Sequence, residues 1–150
     1  KSNSALKRAK NLLEDQTLES AALQYYVFFP THCSKVGFAL EHMVGASRLA
    51  DWLKYTKDVV VIDVGCGAGA GSVAFLNCLL NLYESGGLQS PVTVHFVGID
   101  PNESALAVYS RQLNGLKSGL EKFGIHLARV RLVEEEGLQA VTAVREYLVT

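Results

Sequence analysis

Two acidic residues and a run of glycines are the parts of this sequence whose types and spacing suit chemistry. Asp63 stands two residues before Gly65 in Val61-Ile62-Asp63-Val64-Gly65-Cys66-Gly67-Ala68-Gly69-Ala70-Gly71, after a β-branched run and ahead of an apolar one. Gly65 permits a tight turn, and Gly67 and Gly69 lack a Cβ, so a ligand can lie against their backbone. Such a strand-to-helix turn suits nucleotide-like ligands in general. Asp100 ends a second β-branched run, in Val97-Gly98-Ile99-Asp100-Pro101-Asn102-Glu103-Ser104-Ala105-Leu106-Ala107. A carboxylate is an acceptor-only group with two oxygens, which matches two adjacent hydroxyl donors. The blander role for Asp100 is to cap the helix that follows. For Asp63 it is to accept backbone N–H groups of the glycine turn.

The turn supports two readings. Gly65-x-Gly67-x-x-Ala70 fits the dinucleotide fingerprint. Asp63-x-Gly65-x-Gly67-x-Gly69 resembles motif I of the class I S-adenosylmethionine-dependent methyltransferases. Asp63 favours the second, because a carboxylate repels a pyrophosphate but attracts the ammonium of a methionine moiety. The Asp100 segment looks like motif II of the same family, whose acidic residue accepts hydrogen bonds from both ribose hydroxyls. It also disfavours a 2′-phosphate. Asp100 lies further from the glycines than the roughly 20 residues of the simple fingerprint. An apolar helix and the Ser85–Pro91 loop absorb the difference. Motif III, which contacts the adenine, falls at Val133-Glu134-Glu135-Glu136-Gly137.

The resemblance covers about residues 58–150. It implies S-adenosyl-L-methionine as cofactor, held by Asp63, Gly65, Cys66, Gly67, Gly69, Asp100 and Pro101, and methyl transfer to an acceptor of open class: small molecule, protein or nucleic acid. Asp63 would contact the methionine end and Asp100 the ribose. Asp100→Ala is expected to weaken cofactor binding with little loss of fold. The implied sheet has seven strands, of which this chain supplies three. The segment after strand four, where the family carries substrate-binding and catalytic residues, is not among them. The Asp/Asn-Pro-Pro-Tyr/Phe signature of amino-group methyltransferases is not found, and no catalytic residue is assigned. Two alternatives stay open: an inactive methyltransferase-like binding or assembly module, and an NAD-dependent oxidoreductase.

Other candidates reduce to packing or solvation. Cys66 occupies a small-residue position of the turn. His95 lies within a strand, and His32, His42 and His126 lack ligand spacing, so no metal is expected. Tyr25, Tyr26, Phe28 and Phe29 fit a lid over the cofactor, although packing of the helical layer is the simpler account. Lys1, Lys7, Arg8 and Lys10 fit a solvated helix face.

The elements that position these residues follow from periodicity. Residues 1–57 read as a helical extension and cap. Its stripes are Leu6–Leu13, then Leu18–Phe29 ended by Pro30, then a helix from about Ser34 through Leu53 with a break at Gly45. Residues 58–150 read as half of a Rossmann-like, doubly wound, mostly parallel α/β sheet. Val59–Ile62 is unalternating, as in a strand buried on both faces. A helix over Ala70–Tyr83, a strand over Val92–Ile99 and a helix from Pro101-Asn102 to Gly124 follow. A strand over Ala128–Val133 and a helix over Leu138–Leu148 complete the pattern. The chain has 150 residues, 49% hydrophobic and 19% charged, which excludes intrinsic disorder. A net charge of −1 gives the whole molecule no pull towards nucleic acid. Three cysteines without a Cys-x-x-Cys pair point to a reducing compartment, and no signal peptide or membrane span is read, so a cytoplasmic location is expected. A second copy or a partner chain is expected over the exposed sheet edge.

Overall fold

The computed structural model describes residues 24–136 together with Glu19, Ala22, Gln139, Thr142, Val144 and Arg145. The stripe Leu6–Leu13 and most of the helix expected over Leu138–Leu148 lie outside the described residues. What is described is α/β: a three-stranded parallel sheet flanked by helices. The sheet order is β1 (Asp58–Val64), β2 (Val92–Ile99), β3 (Ile125–Val133). Such an architecture is compatible with a Rossmann-like fold.

Before the sheet, a π-helical turn over Gln24–Phe28 runs into α1 (Phe29–Ala39), and a second π-helical stretch over Leu40–Gly45 leads to α2 (Ala46–Tyr55). Pro30 was expected to end a helix; it sits instead in the first turn of α1, where a missing N–H costs nothing. The helix therefore starts at Phe29 rather than Ser34. Gly45, at φ 83°, makes the expected break. Of the stripe read across this region, Leu49 and Leu53 are buried, but Phe38 and Trp52 are 62% and 49% exposed.

α3 (Ala70–Glu84) buries Ala74, Leu76, Cys78, Leu79 and Leu82, as its nearly all-round apolarity requires. α4 (Glu103–Glu121) buries Ala105, Leu106, Tyr109, Leu113 and Leu120. Leu116 and Phe123, which share its apolar spacing, are exposed. The N-cap of α4 is Asn102, whose side chain accepts from Ala105 N at 3.1 Å, an arrangement worth about 1 kcal/mol. Capping thus falls to Asn102 and not to Asp100.

β1 and β2 pair in register, Val59 opposite Val94 and Asp63 opposite Gly98. β3 begins at Ile125, three residues earlier than its apolar run suggests, because Ile125 pairs with Val92. A register shift opposite Val94/His95 makes Ala128 the extra residue, so the inward phase passes from Leu127 to Val130. Val59, Val94, Phe96, Ile125 and Leu127 share one core with residues of α2, α3 and α4. On the other face Val97 and Ile99 pack with Val133 and Val144. The alternate residues of β1 on that face, Val60, Ile62 and Val64, are 41%, 38% and 59% exposed. The expectation that β1 is buried on both faces is therefore corrected: among the described residues, helices cover one face of it. No helix among the described residues is long and apolar enough to cross a membrane.

Candidate functional site

The glycine turn sits at the carboxyl ends of β1 and β2 and is stitched to both. The carbonyl of Ile99 accepts from Gly65 N at 2.8 Å and from Cys66 N at 3.0 Å, and Cys66 O accepts from Gly69 N at 2.8 Å. Gly65, Gly67 and Gly69 all have positive φ, at 66°, 49° and 94°, which explains the repeat of glycines better than ligand clearance alone. The clearance differs between them. A Cβ on Gly65 would meet nothing within 4 Å, whereas one on Gly69 would lie 2.8 Å from the Tyr109 ring. Gly69 thus makes room for Tyr109 rather than for a ligand. Gly98 presses the same ring from β2, its Cβ position lying 2.7 Å from Tyr109 Cε1.

Tyr109 anchors a buried chain of hydrogen bonds. Ser72 Oγ donates to Asp63 Oδ2 at 2.7 Å, and Ser72 N donates to the same oxygen at 3.1 Å. The Tyr109 hydroxyl lies 2.8 Å from Ser72 Oγ. With the serine proton committed to a carboxylate, the tyrosine O–H is the donor of that pair. Asp63 Oδ1 accepts nothing among the described residues. Burial holds the Asp63 carboxyl above its ordinary range, the two Ser72 bonds oppose this, and the charge of Asp100 adds to it. The structural role expected for Asp63 is present, with the N–H of Ser72 in place of the glycines.

Asp100 is buried and ties three segments together. Its Oδ2 accepts from Gly67 N at 2.8 Å, its Oδ1 from Asn102 N at 2.9 Å, and its own N donates to Val133 O at 3.1 Å. Asp100→Ala therefore removes a side-chain support from the turn at Gly67 N and from the start of α4 at Asn102 N. Gln112 Nε2 on α4 donates to Ala68 O at 2.9 Å, fixing a further carbonyl of the turn.

Two adjoining cavities lie over this floor. The first, about 320 Å³, is lined by Phe28, Phe29, His32, Gly65, Cys66, Gly67, Ala68, Ala70 and Asp100, near the lower end of small-molecule sites. The second, about 230 Å³, is lined by His32, Lys35, Val36, Asp63 and the turn residues Gly65, Cys66, Ala70 and Gly71. Of the residues expected at the site, Asp63, Gly65, Cys66, Gly67 and Asp100 line these cavities, and Gly69 and Pro101 line neither. Phe28 and Phe29 form a wall; Tyr25 and Tyr26 do not. Burial, with the charges of Asp63 and Asp100, holds the Cys66 thiol far above its ordinary range, so it packs and does not attack. Glu134, Glu135 and Glu136 follow β3, and none lines either cavity. No group of His, Cys, Asp and Glu among the described residues suits a metal ion.

Sequence reasoning missed Ser72, Tyr109, Gln112, His32 and Lys35. Ser72 carried one usable signal: a lone hydroxyl on the packed face of an otherwise apolar helix needs a buried partner. Comparison with protein-family models, with curated proteins and with solved structures gives no match for this chain.

Proposed function

We propose that this chain is the cofactor-binding part of a class I S-adenosylmethionine-dependent methyltransferase. The observation that carries the reading is the convergence of two carboxylates, Asp63 from β1 and Asp100 from β2, on one turn of positive-φ glycines with adjoining cavities above it. An anionic floor suits a cationic, hydroxyl-bearing ligand and opposes a pyrophosphate. The residues fit the cofactor. Asp63 Oδ1 is open to an ammonium group, and each Asp100 oxygen, holding one backbone N–H, keeps a lone pair for a ribose hydroxyl. Phe28 and Phe29 offer an apolar wall, and Gly65 leaves its backbone approachable.

When bound, the cofactor supplies a sulfonium methyl group for transfer to a nucleophile. The contribution of this chain is to bind and orient the donor and to exclude water around it. Calorimetric titration with S-adenosylhomocysteine and with NAD tests the reading. Saturable heat with S-adenosylhomocysteine and none with NAD is expected; the reverse pattern overturns it.

A further inference from the structure

The two cavities share His32, Gly65, Cys66 and Ala70 and so form one trough, lined by Asp100 at one end and Asp63 at the other. One face of α1 walls it. Phe29 stands a turn before His32 and Lys35 a turn after, at the helical spacing that places residues side by side. The stretch common to both cavities is the middle of the trough, and His32 is the α1 side chain that lines it. The titratable groups facing this stretch are few. Lys35 comes from α1, Asp63 from β1, Asp100 from the end of β2 and Cys66 from the turn. Burial and the two carboxylates hold the Cys66 thiol far above its ordinary range, so it stays neutral. A lysine ammonium does not titrate in the histidine range, whereas an imidazole changes charge between about pH 5 and 8. The His32 ring is exposed and lies 6.0 Å from the ring of Phe28. It makes no hydrogen bond or ion pair among the described residues, so no protein partner commits either ring nitrogen.

The cofactor proposed above carries its sulfur between its ribose and its amino acid group. With the ribose at Asp100 and the ammonium at Asp63, the sulfur belongs to the shared middle, on the His32 side of the turn. The methyl donor bears a positive charge on that sulfur, and the demethylated product bears none. We propose that His32 distinguishes donor from product: its neutral imidazole admits the sulfonium, and its imidazolium favours the uncharged thioether. The assignment rests on the function proposed above and makes His32 a specificity-determining residue. Its effect is electrostatic, because like charges in one small trough repel while the thioether is spared. Replacement of product by donor is then easiest above the histidine range.

The test measures equilibrium binding of S-adenosylmethionine and S-adenosylhomocysteine at low salt, at about pH 5.5 and about pH 8. The preference for S-adenosylhomocysteine is expected to be about threefold larger at the lower pH, the scale of one exposed charge pair. His32→Gln is expected to remove that pH dependence. His32→Lys is expected to hold the larger preference at both pH values. Asp63, whose carboxyl burial raises, would weaken sulfonium binding in the same direction as it takes up a proton, but that contribution persists in His32→Gln. A preference independent of pH in the unmodified chain, or a pH dependence undiminished in His32→Gln, overturns the assignment of His32 and leaves the proposed function standing. Binding of neither ligand overturns the function and the role of His32 together.

Discussion

The two faces of the sheet are made of the same kinds of residue and end in different states. On one face Val59, Val94 and Phe96 meet α2, α3 and α4 and are lost from solvent. On the other, Val60, Ile62 and Val64 of the same strand stand between 38% and 59% exposed. The difference lies in what the neighbours supply. Both chain connections that cross the sheet, α3 and α4, join the first core, and on the second only Val133 and Val144 pack against Val97 and Ile99 among the described residues. Apolarity makes a strand able to be buried; covering helices decide whether it is.

The largest expected effect strikes the covered face. Tyr109→Ala empties the space between Gly69 and Gly98 and is expected to cost about 3–5 kcal/mol in urea unfolding, as large aromatic truncations in cores do. A cost near that of a surface change would show the ring to be dispensable. Gly98→Ala works from the opposite direction by forcing a methyl group into the same ring. It is expected to cost about 1–3 kcal/mol, and the cost should shrink in a Tyr109→Leu background, because the two positions share one clash.

Asp63→Asn gives a smaller change of the opposite sign. Burial raises the folded-state pKa of Asp63, so the native chain binds its proton more tightly than the unfolded one. The penalty for ionising it is absent below the ordinary aspartate range and complete above the raised value. The variant is therefore expected to melt higher than the parent at pH 7, with the gap closing as pH falls through the aspartate range, while its affinity for S-adenosylhomocysteine drops. A lower melting temperature at pH 7 would show that the Ser72 bonds outweigh burial.

The smallest effect belongs to the open face. Val60→Thr is expected to change stability by no more than about 0.5 kcal/mol, as solvent-facing substitutions do. A cost above 1 kcal/mol, read by the same urea unfolding, would erase the contrast between the faces.

How much of this was legible depended on whether a residue's partner was near in sequence. β2 was read to its observed limits because Pro91 and Asp100-Pro101 bracket a run rich in β-branched residues. α3 was read to within a residue at its end because its apolarity and the Ser85-Gly86-Gly87 turn agree. The start of α1 was missed because a proline reads alike as a terminator and as a first-turn residue. For the cap of α4 only Asp100 was weighed, although Asn102, two positions on, also carries a side-chain acceptor and is the residue that caps. Around the cavities, Asp63, Asp100, Gly65 and Gly67 were legible from their spacing, whereas Gly69 packs against Tyr109 and lines neither. Ser72 and Tyr109 were not legible, since their pairing closes across 37 positions of chain. The wall of the trough was hidden too, because nothing local says which face of α1 meets the turn.

The single carbonyl of Ile99 that holds both Gly65 N and Cys66 N has a kinetic consequence. The floor of the trough is complete only once β2 lies alongside β1, which requires closing the whole α3 excursion first. A ligand that recognises the finished floor has nothing to grip in earlier states. It should leave the refolding rate untouched and slow the unfolding limb alone, so that its stabilisation is felt as a longer lifetime of the native state.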